Sequence, residues 1–291
     1  MKGEASRDGN RPALSVGKSL ERLSRKRQEL IRPVLENPRE YVLLSARRLA
    51  QRLHVDPATA VRTVQGMGFA TYRDFQRYLH ELSISQATSL DTMRASKTKG
   101  PGLTAHVRET VDHNLRNLQR LRNSLDYERL AALAKKIYAA RRILILGGDL
   151  AATLVGYLQY HLLFLGLPVF RATSTGETLH LAQAAGKKDL IIAISYRRGL
   201  RQTVEGLQQA HANGAYCVGI TDTLVSPIAR FAHETFITSV ESPSFGVSYV
   251  AAVCLLEGIV AACGYYPNTP ARKLLKKNSA EQRQGFRWYQ W

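Results

Sequence analysis

The chain is 291 residues long and 45% hydrophobic, and it carries 41 Lys and Arg against 23 Asp and Glu, a formal net charge of +18. That length admits two domains and that apolar fraction lets each bury a core, which excludes a wholly disordered chain. The charge says nothing of the fold, but it favours a polyanionic partner, nucleic acid first, with a basic cytosolic enzyme as the plainer alternative.

Met1 to Pro12 are polar and charged, without the apolar core of a leader. No segment reaches the roughly 18 uncharged apolar residues of a membrane span. A cytoplasmic protein without a membrane partner is expected. Cys217, Cys254 and Cys263 form no C-x-x-C pair and lie in apolar stretches, so buried structural thiols are expected rather than metal or redox chemistry.

Residues 13–87 read as an all-α, basic domain, and residues 1–80 hold 16 Lys and Arg against 8 Asp and Glu. Residues 88–104 read as a linker, because Lys97-Thr98-Lys99-Gly100-Pro101-Gly102 cannot sustain a helix. Connecting helices are expected over 105–142, from the spacing of Val107, Leu115, Leu118, Leu121 and Leu125, then of Leu130, Leu133, Ala134 and Ile137. From Ile143 the pattern changes. Short apolar runs at Ile143–Leu146, Leu190–Ile194 and Tyr216–Ile220, with a weaker one at Glu234–Ile237, alternate with helix-length stretches. This predicts a three-layer α/β domain over 143–263 with a mainly parallel sheet covered on both faces. Residues 264–291 form a basic tail with Trp288, Tyr289 and Trp291, suited to packing, assembly or DNA contact.

Within the first domain, Ser45 precedes Ala46–Leu53, an N-cap ahead of a helix with Leu49, Ala50 and Leu53 on one face. The chain turns through His54 and Val55, and Asp56-Pro57 restarts a helix to about Met67. There the carboxylate caps free N–H groups, and proline lacks the donor that would be orphaned. Ala60, Val61 and Val64 point inward or nearly so, leaving Ala58, Thr59, Arg62, Thr63 and Gln65 for the outer face. Two short helices joined by a tight turn place the second in the major groove of double-stranded DNA. Small residues at its start let the backbone approach the bases, while Arg62 and Gln65 reach base edges or phosphates. Arg47, Arg48 and Arg52 before it, and Arg73 and Arg77 after it, suit phosphate contacts. An ordinary helical hairpin with solvated arginines is the alternative.

The run Ser45–Arg62, closed by Met67-Gly68-Phe69-Ala70-Thr71-Tyr72, resembles the N-terminal domain of RpiR/MurR-type transcriptional regulators, with their A-x-x-L-G-V-S-x-x-T-V-x-R stretch and L-G-F-x-x-Y. His54 stands where Gly is usual, Asp56 where Ser is usual and Thr63 where Phe is common. The second half looks like the SIS (sugar isomerase) domain that accompanies it, on Gly147-Gly148, Ser195, Asn213-Gly214-Ala215, Ile220-Thr221-Asp222 and Ser226-Pro227-Ile228-Ala229. Such resemblance implies an effector-responsive regulator that forms homodimers or homotetramers through the SIS-like domain.

In open α/β sheets ligands sit beyond the carboxyl ends of the strands, where helix N-termini favour anions. Gly147, Gly148, Ser174, Thr175, Ser195, Arg197 and Arg198 come from such ends and are the candidate effector contacts. Glu241 and Ser244, before the last helix, either edge the same pocket or cap that helix. The family's Gly-x-Gly-x-Ser turn has Asp149 and Ala151 at its third and fifth positions here. Of its Ser-x-Ser-Gly-x-Thr loop only Ser195 survives, with Arg197, Arg198 and Leu200 at the later places. Guanidinium forks hold carboxylate or phosphate in bidentate fashion, so the expected effector is a small anion, a sugar phosphate or related acid.

These observations predict a DNA-binding transcription regulator, a repressor, whose operator affinity a small anionic metabolite sets. The alternative is a sugar-phosphate isomerase or other enzyme on the SIS fold. Such an enzyme needs a general base, and Glu177, His180, His233 and Glu241 are conceivable without distinctive spacing. No H-E-x-x-H, P-loop or G-x-S-x-G occurs, so no enzyme activity, cofactor or metal is expected.

Overall fold

Ser45, Asp56 and Thr71 supply side-chain caps where N-terminal helices start. The computed structural model describes residues 20, 23–85, 102–197, 199–224, 226–267 and 271–284. Helices α1 (Arg25–Glu36), α2 (Pro38–Tyr41), α3 (Ala46–Arg52), α4 (Pro57–Gly66) and α5 (Tyr72–Ser85) follow in order. Their common core holds Ile31, Val34, Leu49, Val64, Met67, Phe69, Phe75 and Leu79. The Tyr72 hydroxyl donates to Leu44 O at 2.8 Å, and Gln76 Nε2 donates to Val42 O and Leu44 O at 3.2 and 3.0 Å. These bonds tie α5 to the turn that leads into α3.

Next come α6 (Leu103–Ser124) and α7 (Tyr127–Ala139). The α/β region holds β1 (Arg142–Leu146), α8 (Ala152–Phe164), β2 (Val169–Ala172), α9 (Thr175–Gln183) and β3 (Asp189–Ile194). It continues with α10 (Arg201–Ala212), β4 (Tyr216–Thr221), β5 (Glu234–Ile237) and α11 (Val250–Gly264). The sheet has five strands in the order β2-β1-β3-β4-β5, every pair parallel. Alternate strand residues enter two different cores. Ile143, Ile145, Ile192 and Val218 join α7, α8 and α11, while Leu144, Leu146, Ile191 and Cys217 join Leu207 and Ala210 of α10. Covering both faces is the reason the central strands read as unbroken apolar runs. Edge strand β2 shows no such run, because Val169 and Ala172 are buried while Phe170 and Arg171 are exposed.

One buried charge organises the amino end of this sheet. Asp189 accepts from Arg141 Nε and Nη2 at 3.0 and 2.8 Å, from Arg142 Nη2 at 3.0 Å and from the Gly186 N–H at 2.9 Å. Burial would raise its pKa, but these donors outweigh it and hold the carboxyl down at about 2.

Two expectations change here, and a third, the packing of the tail, is made definite. Cys254 is exposed, because it lies on the outward side of α11, whereas Cys217 and Cys263 are buried as anticipated. Leu103 and Thr104, placed in the linker, already belong to α6. The tail contains a helix, α12 (Ala271–Gln284), whose Ala271 is buried and whose Leu275 packs on the larger core; Trp288, Tyr289 and Trp291 lie outside the described residues. No helix among the described residues is long and apolar enough to cross a membrane.

The chain divides into two compact units. Met1–His113, Thr223–Ser226 and Glu241–Val247 form one, and Asn114–Asp222, Pro227–Val240 and Ser248–Trp291 form the other.

Candidate functional site

In the helical unit, Ser45 Oγ accepts the Arg48 N–H at 3.4 Å, and Asp56 Oδ1 accepts the Thr59 N–H at 2.8 Å. The Thr59 hydroxyl also donates to Asp56 Oδ2 at 2.5 Å. The Thr59 hydroxyl bond, more than its N–H bond, holds the Asp56 carboxyl below its usual range. Between α3 and α4 the chain reverses at His54, whose φ is +55°. The His54 N–H donates to Gln51 O at 3.2 Å and the Val55 N–H to Ala50 O at 3.0 Å. This paired closure is the helix-ending motif that favours glycine, formed here on a histidine.

Ala58, Arg62 and Gln65 are exposed on α4, as are Arg47 and Arg48 on α3 and Arg73 on α5. Arg62 Nε donates to Ala58 O at 3.2 Å, so its side chain lies back along the first turn of α4. Thr63 requires a correction: it is fully buried and its hydroxyl donates to Thr59 O at 2.8 Å. Its position faces the core beside Val64, so it is removed from the candidate contacts. Thr59 remains half-buried with its hydroxyl engaged by the cap.

In the α/β unit the loops at the carboxyl ends of β1, β2 and β3 interlock. Gly147 and Gly148 are buried, and a Cβ on Gly148 would come within 2.5 Å of Leu200 and 2.6 Å of Gln202. Close approach of neighbouring loops is therefore the reason for glycine there. Gln202 Nε2 donates to Thr173 O at 3.0 Å, and the Thr175 hydroxyl donates to Gln202 Oε1 at 2.7 Å. Ser174 and Glu177 form a reciprocal cap on α9, and Glu177 Oε2 also accepts the Thr173 and Ser174 N–H groups at 2.9 and 3.1 Å. The Thr173 N–H first, then Ser174, lower the Glu177 pKa. Ser195 is buried and its Oγ accepts the Leu200 N–H at 3.1 Å.

Arg197 has a φ of +57° and Asp149 one of +53°, backbone conformations that L-residues visit rarely. The Arg197 N–H donates to Asp222 Oδ1 at 3.0 Å. Burial raises the Asp222 pKa, against the pull of the Arg197 and Asp222 backbone N–H groups. Burial also pushes the Tyr249 phenol to about 12, with Asp149 and Asp222 adding to the shift and Arg197 opposing it. Tyr249 thus feels the fields of Asp149, Arg197 and Asp222. Its ring lies 5.3 Å from that of Tyr196, whose hydroxyl shares a 2.9 Å hydrogen bond with Thr238 Oγ1. The site draws on the ends of β1, β3, β4 and β5 and the start of α11, where the topology places ligands.

Tyr196, Gln202, Asp222, Thr238 and Tyr249 were not singled out as contacts from sequence. Asp222 and Thr238 follow directly on strands, a signal that was available; Tyr249 had none. Arg198 lies outside the described residues. Glu241 and Ser244 belong to the other compact unit, where Glu241 lies 3.5 Å from His113 Nε2 and Ser244 N–H donates to Ser242 Oγ at 3.1 Å. Of the four conceivable bases, Glu177 is committed to its cap. His233 sits beside Cys217, at the amino end of β4 and so away from the strand carboxyl ends.

Residues 136–262 match the SIS domain family. The C-terminal region thus matches the SIS domain family, and its five-stranded parallel sheet is the fold that solved structures share with it. The sugar isomerase domain of the RpiR transcription factor from Sphaerobacter thermophilus is 25% identical, covers 59% of this chain and 96% of that one, and superposes with a TM-score of 0.55. The Vibrio vulnificus NanR protein complexed with ManNAc-6P is 20% identical over 92% of this chain and 96% of that one, at a TM-score of 0.55. A Listeria monocytogenes protein proposed to be a sugar-phosphate isomerase is 18% identical over 62% of this chain and 100% of that one, at 0.52. A helical N-terminal region followed by a SIS domain, with these likenesses, is consistent with an RpiR-type regulator.

Proposed function

We propose that this chain is a DNA-binding transcription regulator, a repressor, whose operator affinity is set by a small anionic metabolite held in the SIS domain. The observation that carries this reading is a capped helix-turn-helix exposing Ala58, Arg62 and Gln65, in the same chain as a strand-end site built around Arg197. The excess of basic residues supports a duplex partner. Likeness to a regulator's SIS domain favours a sensor over an enzyme, and so does the commitment of Glu177 to its cap.

The effector is a sugar phosphate or related acid that gives its anionic group to Arg197. Asp149 and Asp222 accept hydroxyl or amino donors of the same molecule. The NanR protein, which shares the fold, is complexed with ManNAc-6P. A homodimer or homotetramer formed through the SIS domains, in the cytoplasm, presents paired heads to half-sites roughly 34–36 Å apart. The ligand changes operator affinity by its differential affinity for two arrangements of the heads, a coupling of about 1–3 kcal/mol.

DNA binding by the full chain over a salt series tests the reading. Affinity for the operator falls steeply, with a log–log slope of about −0.9 per phosphate contact. Arg62→Ala costs about 1–3 kcal/mol and relaxes sequence preference, whereas Arg73→Ala weakens all duplexes alike. Absence of duplex binding at low salt refutes the reading.

A further inference from the structure

We propose that His211, Cys217 and His233 form a binding site for one zinc ion at the edge of the sheet opposite the effector site. His211 is in the last turn of α10, Cys217 is the second residue of β4, and His233 immediately precedes β5. One ligand atom from each lies within 4.8 Å of the other two. Spacings of six and sixteen residues form no sequence motif, so only the fold brings the three together.

The chemistry of the set suits zinc. Two imidazoles and a thiolate are borderline-soft donors, and a tetrahedral ion with Zn–N of about 2.0–2.1 Å and Zn–S of about 2.3 Å separates its ligands by roughly 3.3–3.7 Å. At most 4.8 Å separates the donor atoms, so the closure required is about 1–1.5 Å. Both imidazoles are exposed, which gives the ion a route in, while the Cys217 sulfur is covered. The two rings stack with centroids 4.7 Å apart, and the His211 ring makes no hydrogen bond among the described residues.

His233 is held in place by exchange with Cys217: its N–H donates to Cys217 O at 2.8 Å, and its Nδ1 accepts the Cys217 N–H at 3.0 Å. Ligation through His233 Nδ1 exchanges that second bond for a metal bond, whereas ligation through Nε2 keeps it. The nearby Lys136 charge is met by Glu234 Oε2 at 3.2 Å, which limits its repulsion of a cation. When the Zn–S bond forms, the thiol proton passes to solvent. Three protein ligands leave a fourth position for water.

Cobalt titration of chelator-treated, full-length protein tests the site. The expected result is thiolate-to-cobalt charge-transfer absorption that saturates at one equivalent per chain, is displaced by Zn2+, and persists in Cys254→Ser. Zn2+ also raises Tm. Cys217→Ser abolishes the absorption. Because that change sits in the core, His211→Ala, at an exposed position, is the second variant, and it weakens cobalt binding at least tenfold. No thiolate band in the wild-type protein, a band lost in Cys254→Ser, or unaltered affinity in His211→Ala overturns the proposal.

Discussion

Helices α3 and α10 close with the same pair of hydrogen bonds, one on His54 and the other on Gly214, yet the regions they belong to build their sites in different ways. After α10 the Gly214 N–H bonds to His211 O at 2.9 Å and the Ala215 N–H to Ala210 O at 3.0 Å, with φ of +84° on the glycine. After α3 the corresponding turn leads straight into α4, so the whole candidate DNA surface comes from neighbours in sequence. In the sheet region the candidate effector contacts span Asp149 to Tyr249 and meet only because five parallel strands end on one side. A local site survives on caps and turn residues. A dispersed one depends on long-range contacts that hold the layers.

Four substitutions break or sharpen this contrast. The largest effect is expected at Asp189, on which the sheet region depends. Asp189→Asn leaves Arg141 and Arg142 without their carboxylate and costs about 3 kcal/mol, read by urea unfolding at neutral pH. The folded pKa of about 2 lies below the reference 3.8, so the stabilisation is full above the unfolded value and is lost as pH falls through the folded one. At 1.36 kcal/mol per unit that pH-dependent part amounts to about 2 kcal/mol, so the gap between wild type and variant narrows in acid. A constant gap from pH 7 to strongly acid conditions contradicts the assignment.

Next, Arg197→Ala should weaken an anionic effector by about 1.5–3 kcal/mol, the range for a charge-assisted hydrogen bond, while effector-free DNA binding is unchanged. Thermal shift with phosphorylated sugars and carboxylates measures it, and equal shifts in both proteins remove that arginine from the site. Ser45→Ala removes the N-cap of α3 for about 0.5–1 kcal/mol, confined to the helical unit. Smallest, and opposite in sign, His54→Gly relieves the left-handed backbone and raises stability by roughly 0.5 kcal/mol, net of glycine's greater unfolded-state entropy. A loss of stability there shows that the His54 side chain contributes packing that outweighs its backbone conformation.

Much of the helix-turn-helix was legible because its signals are local: Ser45 and Asp56 cap, Pro57 starts and Gly68 stops. Thr63 was misjudged. A polar residue one position before Val64 reads as outward, but the buried stripe of α4 takes in Ala60, Thr63 and Val64 together, and the Thr59 carbonyl satisfies the hydroxyl. In the sheet region the central strands declared themselves by continuous apolar runs, whereas β2, half exposed, did not. Gly147 and Gly148 were read as ligand contacts, yet the packing of Gly147 against Val155 and Ile194 and of Gly148 against Leu200 and Gln202 gives them a structural reason to be glycine.

From composition, caps and apolar periodicity, the residues alone settled the order of elements, an all-α region before an α/β one, and the parallel character of the sheet. These depend on neighbours within a turn or a strand. Only the tertiary structure decided that Tyr249 feels the fields of Asp149, Arg197 and Asp222, that Asp189 is enclosed by two arginines, and that His211 and His233 meet over Cys217. Such meetings arise when strands distant in sequence pair in register and bring their loops to a common edge, which no local pattern encodes.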